Sequence, residues 1–227
     1  MRSPIIVSLD LDYEDALTLA KKIDPSNCRL KVGSQLFTSK GPKIIEDLDK
    51  LGFDIFLDLK FHDIPNTVSA AVKAASDLGV WMLNVHASGG SKMLQAARKA
   101  ADNSNNPPLV IGVTILTSLN EVDMQEIGVN NIPMHVKNLA KLVSQNSLDG
   151  IVCSPGDVQG IKELLGSNFL TITPGIRSIG AAKDDQSRIS SAKQAIINGS
   201  DYLVIGRPIT QNADPLKALE MYLEEIK

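Results

Sequence analysis

Two aspartates and a lysine stand close together in the segment FLDLKFHDIPNT, Phe56 to Thr67. Asp58, Lys60 and Asp63 directly follow or end an apolar run that reads as a buried strand. Buried charges stabilise a fold poorly for the desolvation that they cost, so several of them in one place need a reason beyond stability. Amine and carboxylate groups that perturb one another are typical of sites with electrostatic or acid–base chemistry. The segment therefore predicts a functional site.

The same arrangement recurs at the ends of two earlier strands. Side chains alternate between the faces of a strand, so Asp58 and Lys60 share one face and the aliphatic residues between them share the other. Asp10 ends the first strand in the same way, and Lys31 ends the second. A structural ion-pair network that closes the mouth of a barrel is the alternative interpretation of these charges.

The elements that must position these residues alternate between strands and helices. Apolar, β-branched segments predict eight strands, and each is followed by a segment with helical spacing. The predicted strands are Ile5 to Leu9, Arg29 to Val32, Phe53 to Leu59, Trp81 to Val85, Leu109 to Thr114, Gly150 to Cys153, Leu170 to Ile172 and Tyr202 to Ile205.

Eight β-then-α units predict an α/β fold, a (β/α)₈ TIM barrel. A doubly wound open sheet is the competing architecture. The barrel is favoured because no G-x-G-x-x-G follows the first strand and because polar residues end many strands. The helix after the third strand should end at Gly79, and the last helix should begin with Asp214 as its N-cap and Pro215 in its first turn.

Composition and charge limit the classes of function. The chain has 227 residues, with no linker-like stretch, which predicts one catalytic domain over residues 1–227. A formal charge of −3 without a basic run predicts no nucleic-acid partner and no anionic membrane surface. No signal peptide or membrane span is visible, and Cys28 and Cys153 match neither a disulfide framework nor a metal-ligand spacing. We therefore expect a cytoplasmic protein with buried thiols.

Several motifs in order along the chain resemble one enzyme family. FLDLKFHDIPNTV looks like the signature of orotidine 5′-phosphate decarboxylases, and Lys31 lies in KVG after the second strand. The same family pattern continues with VTILTS from Val113, TPGIR from Thr173 and IGRPIT from Ile205. The resemblance covers essentially the whole chain, and the set of motifs in this order is highly specific.

The resemblance implies a barrel homodimer that converts orotidine 5′-phosphate to uridine 5′-phosphate and CO₂ without a metal or organic cofactor. Lys60 would stabilise the carbanion left at C6 and then protonate it. Asp58 and Asp63 would hold Lys60 as a cation, and Lys31 would complete the charge array. Asp63 would reach across from the second subunit, as would Thr67.

The resemblance also implies residues that bind the small-molecule nucleotide. Asp10, Lys31 and Thr67 should hold the ribose, and Thr117, Ser118 and Ser154 should meet the pyrimidine edge. Residues 173–189 read as a lid in which Arg177 and Gln186 engage the phosphate, with Gly206 and Arg207 completing the phosphate site. The full expected binding set is Asp10, Lys31, Asp58, Lys60, Asp63, Ile64, Thr67, Thr117, Ser118, Ser154, Pro174, Arg177, Gln186, Gly206 and Arg207.

Two rival functions remain to be distinguished. A Mg²⁺-dependent decarboxylase or aldolase acting on keto-sugar phosphates shares the Asp-x-Lys-x-x-Asp spacing. Such relatives usually have an acidic residue where Lys31 stands, and an ammonium there would repel the metal. A catalytically dead barrel kept as a binding protein is the other rival, but Lys60, Asp58 and the phosphate residues are all present. The three histidines show no metal-ligand spacing, so no zinc site is expected.

Overall fold

The structure, a computed structural model, is a closed barrel of eight parallel strands, and it describes residues 3–177 and 190–227. Each strand pairs with the next in chain order, and β8 pairs with β1 to close the sheet. The predicted (β/α)₈ barrel is thus confirmed and the open sheet is excluded. The strands are β1 Ile5–Ser8, β2 Arg29–Gly33, β3 Ile55–Phe61, β4 Met82–His86, β5 Leu109–Val113, β6 Gly150–Val152, β7 Leu170–Thr173 and β8 Tyr202–Ile205.

The helices of the described ranges surround this barrel. They are α1 Tyr13–Ala20, α2 Ser34–Lys40, α3 Lys43–Asp49, α4 Pro65–Asp77, α5 Gly90–Asp102, α6 Glu121–Glu126, α7 Ile132–Gln145, α8 Val158–Leu165, α9 Ala192–Ile197, α10 Arg207–Thr210 and α11 Pro215–Glu225. A short 3₁₀ turn, Ala87–Gly89, precedes α5. Two helices instead of one follow β2, β5 and β8.

The predicted helix ends are confirmed at α4 and α11. Helix α4 buries Val68, Val72 and Ala75 against the barrel, and the left-handed Gly79 follows its last turn. The Asp214 side chain accepts a hydrogen bond from the Lys217 backbone N–H, 3.1 Å away, and so caps α11. The strands agree with prediction except at their ends, where β3 in particular begins and ends two residues later than expected.

Two apolar layers lie on either side of the sheet. The outer layer packs the helices on strand residues such as Val7, Leu57 and Leu83. The inner layer fills the barrel with five fully buried side chains, namely those of Ile6, Phe56, Met82, Ile111 and Ile172. The alternation predicted for β1 and β3 is therefore confirmed, because Phe56 points inwards and its neighbours Ile55 and Leu57 point outwards.

The amino-terminal end of the barrel is closed by two aromatic rings, those of Trp81 and Tyr202, which pack against the guanidinium of Arg29. The Arg29 guanidinium carbon lies 4.3 Å from the centroid of the Trp81 ring and 5.2 Å from that of Tyr202. Trp81 and Tyr202 meet edge to face, and Asp54 forms an ion pair with Arg29 at 3.3 Å. Trp81 thus packs at this end of the barrel, and the opposite end is open.

Cys28 and Cys153 are both buried thiols, as predicted. Burial raises the pKa of the Cys28 thiol to about 12. Among the helices that the structure describes, none combines the length and the apolar character required to cross a bilayer.

Candidate active site

A cavity of about 500 Å³ opens at the carboxyl ends of the strands. In a barrel of this type the loops after the strands build the active site at this end. Ten of the residues predicted from the sequence line the cavity, and they are Asp10, Lys31, Asp58, Lys60, Thr117, Ser118, Pro174, Arg177, Gly206 and Arg207. The inner-layer side chains of Phe56 and Ile172 form part of its floor.

Asp58 lies between two lysines at the centre of this cavity. Its Oδ1 is 2.6 Å from the Nζ of Lys60, and its Oδ2 is 3.0 Å from the Nζ of Lys31. The pairing of β2 with β3 brings the Lys31 and Asp58 side chains together. Asp58 is aligned with Gly33, which lies two residues after Lys31 on the same face of β2. The side chains of Lys31 and Asp58 are nearly buried, whereas a third of the Lys60 side chain remains exposed to the cavity. Of the two lysines, Lys60 is thus the more open to a bound molecule.

Asp10 extends the charge array towards the rim. Its Oδ1 lies 3.3 Å from the Nζ of Lys31, and its Oδ2 accepts a hydrogen bond from the Ser8 hydroxyl at 2.6 Å. Gly33 allows this close approach, since a Cβ there would lie 3.1 Å from both the Asp10 Oδ1 and the Lys31 Nζ. The four side chains form the ordered series Asp10, Lys31, Asp58 and Lys60.

The protonation of the array follows from its burial and its charges. Burial by itself would raise the pKa of Asp58, but Lys31, Lys60 and the hydrogen bond from Asn84 lower it to about 2. Burial likewise acts to lower the pKa of Lys31, yet Asp58 and Asp10 outweigh it and the pKa is raised. At neutral pH the buried pair is therefore a carboxylate next to an ammonium.

The backbone of Lys60 has an unusual conformation. Its φ is +51°, in the left-handed region that side chains other than glycine rarely adopt. The pairing between β3 and β4 shifts register between Leu57 and Phe61, so Lys60 lies within a bulge. Its N–H donates a 2.8 Å hydrogen bond to the side-chain Oδ1 of Asn84. The strand is thus bent at the residue that projects into the cavity.

Two histidines lie beside the array. The rings of His62 and His86 have centroids 5.3 Å apart. Burial lowers the pKa of His86, and the nearby His62 and Lys60 act in the same direction. Within residues 3–177 and 190–227, no three His, Cys, Asp or Glu side chains form a group that could hold a metal ion.

The phosphate residues predicted from the sequence lie across the cavity from Lys60's strand. Arg177 is buried at the start of the connection after β7, where its N–H donates to the Ser190 carbonyl at 2.9 Å. Gly206 precedes the short helix α10, which starts with Arg207, and a Cβ at Gly206 would lie 3.3 Å from that of Ser8. Gln186 and most of the predicted lid at residues 173–189 lie outside the described residues.

The remaining predicted residues do not line the cavity of their own chain. Asp63, Ile64 and Thr67 are exposed just beyond β3, and the Asp63 Oδ1 accepts a 2.6 Å hydrogen bond from the Ile64 N–H. Ser154 is buried and donates to Asp157 at 2.6 Å. A contact of Asp63 or Thr67 with a second subunit, and a contact of Ser154 with the pyrimidine, both stay predictions.

Sequence reasoning missed three polar residues at this site. Asn84 is fully buried on β4 and donates to the Asp58 Oδ1 at 2.6 Å, Ser8 orients Asp10, and Gln211 lines the cavity. Asn84 could have been identified from the sequence, because a polar residue between Leu83 and Val85 on a buried strand requires a hydrogen-bond partner. Gln211 lies after α10 and had no such signal.

Comparison with known proteins agrees with this geometry. Residues 3–222 match the model of the orotidine 5′-phosphate decarboxylase / HUMPS family. The chain is 53% identical over 224 residues to an orotidine 5′-phosphate decarboxylase from Saccharophagus degradans, an alignment that covers 98% of this chain and 94% of the relative. It is 54% identical to the protein of that name from Dichelobacter nodosus, with 96% of each chain covered.

Solved structures are similar over the same length. The orotidine 5′-phosphate decarboxylase from Lactobacillus acidophilus has a TM-score of 0.87 and 36% identity, with 99% of each chain covered. The one from Pyrococcus horikoshii has a TM-score of 0.79 at 23% identity over 98% of each chain, which supports the barrel fold alone. From the matched family model and these relatives, the chain belongs to the orotidine 5′-phosphate decarboxylase / HUMPS family.

Proposed function

We propose that this chain decarboxylates orotidine 5′-phosphate to uridine 5′-phosphate and CO₂, a step of pyrimidine biosynthesis. The observation that carries the proposal is the position of the Lys60 ammonium, 2.6 Å from the Asp58 carboxylate and open to the cavity. Relatives named orotidine 5′-phosphate decarboxylase share about half of this chain's residues over nearly their full length.

The chemistry requires such a cation. When the bond from C6 of the pyrimidine to the carboxylate breaks, CO₂ leaves as a neutral molecule and the electron pair stays on C6. This pair lies in the plane of the ring, where no conjugated carbonyl can accept it. At an effective dielectric constant near 20, a unit charge about 4 Å away stabilises it by roughly 4 kcal/mol, or about three powers of ten in rate. Lys60 then gives its proton to C6, and its amine regains one from solvent.

Asp58 has two tasks in this proposal. It directs the Lys60 ammonium, which donates a hydrogen bond to its Oδ1 at 2.6 Å. It also lies where the substrate carboxylate should bind, so that their repulsion is relieved as CO₂ forms. We treat this relief as secondary to the stabilisation by Lys60.

Recognition of the nucleotide is divided between the two sides of the cavity. Asp10 and Lys31 are placed for the ribose hydroxyls, and Thr117 and Ser118 for the pyrimidine edge. Arg177, Gly206 and Arg207 offer a guanidinium pair and a close backbone to the phosphate. Binding energy from the phosphate, remote from C6, can thereby help to assemble the site.

We infer that the working form is a homodimer in which Asp63 and Thr67 complete the neighbouring site. Asp63 and Thr67 are exposed, and Ile64 between them is 67% exposed. A second copy covering this segment would bury Ile64. We also propose a cytoplasmic location, which the two buried thiols support, and one domain over residues 1–227.

The Mg²⁺-dependent enzymes of keto-sugar phosphates are disfavoured by the position of Lys31. Its ammonium lies 3.0 Å from the Asp58 Oδ2 and occupies the side of the carboxylate where a metal ion would bind. A cation there repels a second cation. The purified protein should therefore consume orotidine 5′-phosphate, followed by its ultraviolet absorbance, at the same rate with and without EDTA. No loss of the substrate in EDTA would reject the proposal.

A further inference from the structure

Asn84 connects the two central residues of the site from a neighbouring strand. It lies in the middle of β4, is fully buried, and points into the barrel between Met82 and His86. Its amide Nδ2 donates to the Asp58 Oδ1 at 2.6 Å, and its Oδ1 accepts from the Lys60 N–H at 2.8 Å. Both polar atoms of one side chain are thus used on the two residues that do the proposed chemistry.

The pairing leaves only one orientation for the amide. If the side chain were rotated by 180° about its last bond, the oxygen would face the Asp58 carboxylate and the NH₂ group would face the Lys60 N–H. Both contacts would then be repulsive, because an acceptor would meet an acceptor and a donor would meet a donor. Asn84 is therefore locked by the same two residues that it contacts.

The contact with Lys60 replaces a missing hydrogen bond of the sheet. Lys60 lies in the bulge, where the register of β3 and β4 shifts, and its φ is +51°. A strained backbone of this kind persists only where its surroundings hold it. The Asn84 oxygen is the acceptor for the Lys60 N–H and so holds the backbone in the conformation that directs the side chain at the cavity.

The contact with Asp58 determines how that carboxylate is shared. The Oδ1 receives both the Asn84 amide and the Lys60 ammonium, each at 2.6 Å, and the Oδ2 receives Lys31 at 3.0 Å. A carboxylate bound by three donors cannot rotate without losing at least one of them. Asn84 thus fixes the oxygen to which Lys60 is bound.

We propose that Asn84 is a positioning residue for decarboxylation, which acts by holding the Lys60 backbone in its left-handed conformation and the Asp58 carboxylate in register with the Lys60 ammonium. This inference rests on the proposed function. It assigns to β4 a role in the reaction that the charged residues of the site do not perform.

An isosteric variant provides the sharpest test. In Asn84→Asp, a protonated carboxyl can still donate to Asp58 and accept from the Lys60 N–H, whereas an ionised one faces Asp58 with no proton between them. The ionisable groups around it are Asp58 and Lys60 on β3, Lys31 behind Asp58 and His86 on β4 itself, and β5 contributes none. The ratio of the variant's kcat to that of the wild type should therefore fall by about tenfold or more between pH 5.5 and pH 9.

Asn84→Leu provides the companion test, because leucine has a similar volume but no hydrogen-bonding atom. We expect kcat to fall by about a hundredfold, while the Kd of uridine 5′-phosphate, measured by calorimetry, changes by less than about threefold. Loss of a residue that only supports folding would lower the melting temperature but would not lower kcat relative to the wild type. Both variants are therefore compared at temperatures well below their melting points.

Each result is decisive. A pH-independent ratio for Asn84→Asp, or a kcat of Asn84→Leu close to that of the wild type, would overturn the positioning role and leave the proposed function intact. If Asn84→Leu does not fold, the pH dependence of the Asn84→Asp ratio decides alone. A wild-type chain without decarboxylase activity would instead overturn the proposed function on which the inference rests.

Discussion

The Nζ of Lys31 lies 3.0 Å from the Oδ2 of Asp58, and both side chains are nearly buried at the carboxyl ends of adjacent strands. An ion pair in such a place contributes little net stability, because desolvation cancels most of the attraction. The pair instead arranges the site, because Lys31 binds one carboxylate oxygen of Asp58 and leaves the other oxygen for Lys60.

Replacing the cation that faces the cavity should abolish turnover but not folding. We expect Lys60→Ala to lose at least about a thousandfold in kcat, since roughly 4 kcal/mol of charge stabilisation and the proton donor are both removed. The absorbance assay measures this directly. Lys73→Ala on α4, an exposed lysine that forms an ion pair with Asp77, is the matched control and should keep normal kcat. Near-normal turnover by Lys60→Ala would end the mechanism.

Acid should remove the contribution of Asp58 to stability. Its pKa in the folded protein, about 2, is below the ordinary value of 3.8, so its stabilising effect is present above pH 3.8 and is lost as the pH falls towards 2. The free energy of unfolding of the wild type should therefore exceed that of Asp58→Asn by about 2 kcal/mol more at pH 5 than at pH 2. Urea unfolding over this range measures the difference. A gap that stays constant or widens in acid would contradict the assignment.

Mixed dimers should reveal whether sites are shared. Lys60→Ala and Asp63→Ala are each expected to be inactive as pure proteins. In a mixed dimer, one site receives Lys60 from one subunit and Asp63 from the other, so an equal mixture that exchanges subunits should recover about a quarter of wild-type activity.

The control for that experiment pairs Lys60→Ala with the double variant that carries both changes. No dimer in this mixture contains Lys60, so no activity should return. An inactive first mixture, in which mass spectrometry shows that mixed dimers have formed, would show that Asp63 acts within its own chain.

The opposite end of the barrel should govern stability alone. Arg29→Ala removes the guanidinium that packs on the Trp81 and Tyr202 rings, and with it the ion pair to Asp54. We expect the free energy of unfolding to fall by about 2 to 4 kcal/mol while kcat changes by less than about twofold. Denaturant melts and the absorbance assay test both parts. A large loss of kcat in folded Arg29→Ala would show that the two ends are coupled.

The barrel and most of the charge array were accessible from the sequence because they depend on simple periodicities. Alternation along β1 and β3 placed Asp10, Asp58 and Lys60 on the inner face, and the order of strands brought Lys31 next to them. The structure then brought ten of the predicted residues to one cavity.

What the sequence could not predict depends on departures from regular geometry. The left-handed backbone of Lys60 and the bulge around it arise from long-range pairing between β3 and β4, which no local pattern reports. Asn84 becomes important only through that bulge. The hydrogen bond from Ser154 to Asp157 likewise depends on the local turn before α8.

The packing of Arg29, Trp81 and Tyr202 limits how substrate and products can enter and leave the barrel. With Ile6, Phe56 and Met82 packed above it, no passage runs along the axis among the described residues. In the proposed reaction, CO₂ and uridine 5′-phosphate must therefore leave through the same opening, at the carboxyl ends of the strands, by which the substrate enters. We expect CO₂, which is small and neutral, to leave before the nucleotide, whose phosphate is held by the site.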